Sequence, residues 1–301
     1  MYRRIVVGYD GSERARDALA LAVQLRAGDG VVIAACVYPA TGPGSGEQLE
    51  PALADAARKT LDEARNGIDA DRLSLRPVRG QSPAHGLHVL SEEAEADLVV
   101  VGSSHRGDAG RVMAGSTGER LLNGSPCPVA VAPNGFASGP SEPRVIGVAF
   151  DGSDEAETAL HEGVALAREL GATLRLVMVV PPLEAFTRDP RYRPDPSDAE
   201  IEHYRLEEFR RMLEGAAEPL PDELAATTEL VEGEPADEIV ERAGRGVDLL
   251  VIGSRNYGPI RRVMVGSTAI AVMRRSPCPV IVIPRGAATP SAGAAAGAAA
   301  S

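Results

Sequence analysis

The sequence predicts an α/β protein of two tandem Rossmann-like/flavodoxin-like domains, each a five-stranded parallel sheet with helices on both faces. Three observations predict it: the length, an internal repeat, and the alternation of short apolar runs with amphipathic stretches inside each repeat. The chain has 301 residues, about two domains' worth at roughly 100–200 residues each. Ile5-Val6-Val7-Gly8-Tyr9-Asp10-Gly11-Ser12 recurs as Ile146-Gly147-Val148-Ala149-Phe150-Asp151-Gly152-Ser153. Asp97-Leu98-Val99-Val100-Val101-Gly102-Ser103 recurs as Asp248-Leu249-Leu250-Val251-Ile252-Gly253-Ser254. The segments Val112–Thr117 and Ser125–Val129 recur as Val263–Thr268 and Ser276–Val280. Order and spacing match throughout, and two copies are too few for a solenoid, so a globular domain has been duplicated.

In the first copy, continuous apolar runs near 4–9, 31–37, 73–78, 98–102 and 128–132 suit strands buried on both faces. Between them, Ala15, Ala18, Leu19, Ala22 and Val23 share one face of a helix starting at Ser12. Further helices are expected at about 50–65, at about 83–94 and from Ser116. The second copy places strands near 145–150, 173–180, 226–231, 248–253 and 279–283. Strand–helix alternation with short loops makes each sheet parallel. The first domain is expected over 1–134 and the second over 144–285. The segment 135–143 between them reads as a linker from its Pro, Gly and Ser content. The tail 286–301 is Ala, Gly and Ser without apolar periodicity, and reads as disordered.

A formal net charge of −12 argues against nucleic acid and anionic membranes as partners, because both need a basic surface. Cys36, Cys127 and Cys278 lack the paired spacing of a metal site, and an odd count suits a reducing compartment. No run approaches the ~20 apolar residues of a membrane span, and the N-terminus opens directly on a strand pattern. The expected location is cytoplasmic.

In doubly wound sheets, ligands bind beyond the carboxyl ends of the strands, where strand order reverses. Each copy puts two polar motifs at such ends. Asp10-Gly11-Ser12 follows the first strand, and a glycine-rich loop starts at Gly102 after the fourth. The loop runs to Gly115, Ser116 and Thr117, where backbone N–H groups and a helix N-terminus favour an anion. The second copy repeats this from Gly253 to Gly266, Ser267 and Thr268. Val37 and Val179 end the second strands, in reach of an adenine.

On these residues the chain resembles the universal stress protein (UspA) family in its tandem form, over nearly its whole length except the tail. The family's nucleotide-binding members share a Gly-x2-Gly-x9-Gly-[Ser/Thr] loop. The resemblance maps it onto Gly102, His105, Gly115 and Ser116, and onto Gly253, Asn256, Gly266 and Ser267. It assigns nucleoside contact to Asp10 and Asp151, and adenine contact to Val37 and Val179. It thus implies binding of ATP or a related adenine nucleotide, with or without Mg, in a stress-response sensor or regulator that is not a catalyst. It also implies that the last strands, Val129–Ala132 and Val280–Ile283, pair the two halves as an intrachain pseudo-dimer, with a homodimer as a further level. One departure occurs twice: the loop's second glycine is His105 or Asn256. Both types tolerate φ > 0 better than most, but each adds a side chain where glycine allows close approach.

Other readings stand beside this one. Asp10 and Asp151 also fit plain turn residues, and Ser12 and Ser153 fit helix caps. Cys127 and Cys278, flanked by prolines, fit packing roles. A nucleotide-free interaction protein of the same fold is the alternative function, and slow ATP hydrolysis a weaker one. There is no Gly-x4-Gly-Lys-[Ser/Thr] loop, the single lysine is Lys59, and no Gly-x-Ser-x-Gly elbow occurs.

Overall fold

A computed structural model describes residues 1–40, 46–65, 68, 70–103, 116–139, 142–183, 199–254 and 266–287. Of the tail expected over 286–301, residues 288–301 therefore lie outside the described residues. Within the first half run β1 (Tyr2–Gly8), α1 (Glu13–Leu25), β2 (Arg26–Pro39), α2 (Gly46–Asp62), β3 (Leu73–Gly80), α3 (Pro83–Glu93), β4 (Leu98–Gly102), α4 (Ser116–Leu122) and β5 (Val129–Ala132). The second half repeats the series as β6 (Val145–Phe150), α5 (Asp154–Leu170), β7 (Thr173–Val180), α6 (Ala199–Ala217), β8 (Ala226–Glu232), α7 (Pro235–Ala243), β9 (Leu249–Gly253), α8 (Ser267–Arg275) and β10 (Val280–Ile283). One expectation needs adjustment. β2 starts at Arg26, not near 31, because α1 ends without a loop and its cap residue is already extended.

The strands form a single ten-stranded sheet in the order β3-β2-β1-β4-β5-β10-β9-β6-β7-β8. Each half contributes five parallel strands. They are joined by one antiparallel pair, with Val131 opposite Val280, Ala130 opposite Ile281 and Val129 opposite Val282. All eight residues of these two strands are buried. An apolar edge strand left bare is a template for aggregation, and pairing β5 with β10 removes both edges at once.

The two faces carry separate cores. One gathers α1, α2, α5 and α6 on residues such as Ile5, Val7, Leu61, Ile146, Val148 and Leu213. The other gathers α3, α4, α7 and α8 on Val6, Val99, Leu121, Ala149, Val177 and Ile252. Strands buried on both sides explain why the sequence shows continuous apolar runs and not alternation. The halves also meet off the sheet. Arg274 of α8 bonds Glu119 of α4 at 2.7 Å. The fully buried Tyr2 lies beside Glu162 of α5, and burial first, then that carboxylate, hold its phenol well above the ordinary range.

Two repeated aspartates have structural work. Asp97, just before β4, accepts from the backbone N–H groups of Arg3 and Arg4 at 2.8 and 2.9 Å. Asp248 does the same for Arg144 and Val145 at 2.9 and 3.0 Å. Each ties the start of its half's first strand to the neighbouring fourth strand. Among the described residues no helix is long and apolar enough to cross a membrane.

Candidate nucleotide site

The strand order puts β1 beside β4 and β6 beside β9. The chain leaves β1 for a helix on one face and leaves β4 for a helix on the other, so a crevice opens between their carboxyl ends. Both repeated motifs therefore meet there, in each half.

The Asp-Gly-Ser motif is a turn and a helix cap in one. Asp10 Oδ1 accepts from the Ser12 N–H at 3.0 Å, and Ser12 Oγ accepts from the Ala15 N–H at 3.2 Å. Asp151 Oδ1 accepts from both the N–H and the hydroxyl of Ser153 at 3.0 and 2.6 Å, and Ser153 Oγ caps Ala156 at 3.2 Å. The residue between must take a left-handed backbone: Gly11 has φ +80° and Gly152 φ +75°, where a Cβ is strained. The turn reading of the aspartates is thus realised in both halves. It occupies one carboxylate oxygen of each with the chain's own backbone.

Gly102 and Gly253 are fixed by packing. A Cβ on Gly102 would sit 2.4 Å from the Arg14 carbonyl oxygen, and one on Gly253 would sit 2.7 Å from the Glu155 carbonyl carbon. The first turn of α1 or α5 lies directly on the end of the fourth strand of its half. That close approach brings the aspartate turn and the first residue of the glycine loop together. Ser103, next in line, is buried, and its hydroxyl has no partner among the described residues. A buried hydroxyl of this kind calls for a polar ligand or water.

Of the remaining expected residues, Ser116, Thr117, Ser267 and Thr268 stand at helix starts. Ser116 begins α4, and half-buried Thr117 follows it. Ser267 and Thr268 begin α8, whose N-cap is Gly266, so no side chain caps that helix. Its first N–H groups are left for an anion or water. His105, Gly115 and Asn256 lie outside the described residues. Val37 and Val179 sit at matching places on β2 and β7. Val37 is half-buried, its side chain wedged against Gly80 and Gly86, whereas Val179 is buried.

The thiols are not set up as nucleophiles. Burial pushes Cys127 up to about 12 and Cys278 up to about 11. Burial also raises Cys36, with the Asp10 carboxylate adding to it. Among the described residues no three His, Cys, Asp or Glu side chains cluster to hold a metal ion.

Sequence reading passed over two pairs of residues that border the crevices. Thr60 of α2 packs on Gly11, and Met212 of α6 packs on Gly152. Gly86 of α3 abuts Val37, while Glu238 of α7 lies over Gly233. Aligning the helices on Leu61 and Leu213, and on Pro83 and Pro235, would have exposed these pairs.

The family model described as the Universal stress protein family matches residues 1–133 and 143–284. A universal stress protein of Mycobacterium tuberculosis is 26% identical over 242 residues, 79% of this chain and 80% of the relative. Universal stress protein YxiE of Bacillus subtilis is 35% identical over 141 residues, 45% of this chain and 95% of its own. Among solved structures, a universal stress protein from Archaeoglobus fulgidus matches with a TM-score of 0.64 at 21% identity, covering 94% of this chain and 96% of that one. At that identity the likeness concerns the fold alone.

Proposed function

The chain belongs to the universal stress protein family, and from that premise we propose that it binds ATP or a related adenine nucleotide and acts as a stress-response sensor or regulator. The observation that carries this reading is the meeting, in each half, of the Asp-Gly-Ser turn with the glycine end of the fourth strand. The donor set suits a nucleotide. The orphan Ser103 hydroxyl offers a hydrogen bond to phosphate or ribose oxygens. Asp10 keeps one carboxylate oxygen beyond the one spent on its turn, as an acceptor for ribose hydroxyls or an adenine amine. A Mg ion, where present, would ride on the phosphates. The reading is that of a binding protein and not a catalyst.

Calorimetric titration with ATP, with and without Mg, tests the reading. Saturable binding is expected, and weaker binding in the Gly115→Ala, Gly266→Ala double variant. Absence of binding by wild type overturns it. Phosphate release is expected to be no faster than in buffer.

A nucleotide-free interaction protein is the second reading. It is favoured by His105 and Asn256 and by the Asp10 and Asp151 oxygens already committed to their turns. Mass spectrometry of the denatured protein separates the two: a copurifying adenine nucleotide supports the first reading.

A further inference from the structure

The duplication allows every position in one crevice to be compared with its counterpart in the other. The pairing of Ile5 with Val32 and of Ile146 with Leu174 aligns β2 with β7, so Cys36 corresponds to Met178, Val37 to Val179 and Tyr38 to Val180. Contact with the turn glycine aligns Thr60 with Met212, and one turn earlier Ala57 with Phe209. The first-turn prolines of α3 and α7 align Gly86 with Glu238.

At the helix positions and at 36/178 the second half carries the bulkier or more blocking group, while Val37 is matched by Val179 and Tyr38 by the smaller Val180. Where Thr60 sets a methyl against the Gly11 turn, Met212 lays its sulfur against Gly152, in the place a Cβ would fill. Ala57 becomes Phe209, and Cys36 becomes the fully buried Met178. The glycine at 86 becomes Glu238, whose side chain covers Gly233 and pairs with Arg242. Arg205 donates to the Pro181 carbonyl oxygen at 2.6 Å, tying α6 to the end of β7. The surfaces that remain differ accordingly. Asp10 is exposed and Cys36, Val37 and Tyr38 are half-exposed, whereas Met178, Val179 and Val180 are all buried. A flat aromatic base needs an open apolar slot.

We propose that only the first half binds the nucleotide, and that the second half has been filled by its own side chains and serves as the fixed partner of the sheet. This rests on the adenine-nucleotide reading of the preceding section. The experiment is calorimetry with ATP on the full chain, with photo-crosslinking by an azido-adenine nucleotide and peptide mapping. The expected stoichiometry is one per chain, with label only in peptides from residues 1–139. Thr60→Met is expected to weaken binding by about tenfold or more, as steric loss of a contact does, while Met212→Leu in the second half changes it less than about twofold. Unchanged circular dichroism keeps the Thr60→Met result interpretable, and the label position is read on wild type, where folding is not at issue. Two sites per chain, or label in the second half, overturns the assignment and leaves the adenine reading intact. No binding by wild type overturns both.

Discussion

Asp17 illustrates how one buried charge in α1 organises its surroundings. Its carboxylate is shielded from water and accepts from the backbone N–H groups of Gly135 and Ala137 at 2.9 and 2.8 Å. It thereby holds the segment after β5 against α1. Asp17→Ala leaves two donors without a partner, so a loss of about 2–4 kcal/mol is expected in urea unfolding. Gly102→Ala is expected to cost about 1–3 kcal/mol by pushing the first turn of α1 off β4, with the same melting experiment as the check. The buried thiols make a prediction about pH. In an unfolded chain a thiol ionises at about 8.5, whereas Cys127 and Cys278 stay protonated to about 12 and about 11 in the fold. Between those limits unfolding releases protons. The stability they contribute is full below about pH 8.5 and falls as pH rises toward 11–12. Urea midpoints are expected to drop between about pH 7.5 and about pH 10, and to drop less in the Cys127→Ala, Cys278→Ala double variant.

The element scale was the most legible in sequence. Apolar runs without alternation located nine strands almost to their ends, and α1, α5 and α3 start where Ser12, Ser153 and Ser82 cap them. Only β2 escaped, since Arg26–Gly30 is polar and glycine-rich yet pairs in the sheet at Arg26. Its side chain explains this local extension: Arg26 Nη1 donates to the Ala27, Gly28 and Gly30 carbonyl oxygens at 3.3, 3.4 and 3.1 Å, satisfying backbone that no neighbour reaches. No periodicity announces such a device. The Asp-Gly-Ser and Gly102 motifs were legible as well. Their neighbours Thr60, Met212, Gly86 and Glu238 were not, because they sit on helices far away in sequence.

For the whole molecule, the decisive contact is the antiparallel β5–β10 pair. It turns two five-stranded sheets into one and leaves β3 and β8 as the outer edges. β3 is blunted by Pro77, which cannot donate to another strand. If β5–β10 pairing is what holds the halves together, residues 1–139 expressed alone will present a bare Val129–Ala132 strand and self-associate through it. Light scattering is expected to report a dimer, and a monomer at tens of micromolar would count against the idea. The Glu119–Arg274 bridge, like the pair of the Met1 amino group with Glu169, is a surface ion pair worth at most about 1 kcal/mol, so neither can substitute for the paired strands.

The sequence by itself determined the duplication, the parallel sheets and the two strand-end motifs, because periodicity, capping and turn chemistry are local and are repeated in both copies. Tertiary structure decided how the halves join and what stands around each crevice. Those outcomes depend on which side chains meet across the sheet and between helices, and spacing along one chain does not encode them. The resemblance between the copies is therefore close in their motifs. It ends at the walls of the crevice, where Thr60 faces Gly11 in one half and Met212 faces Gly152 in the other.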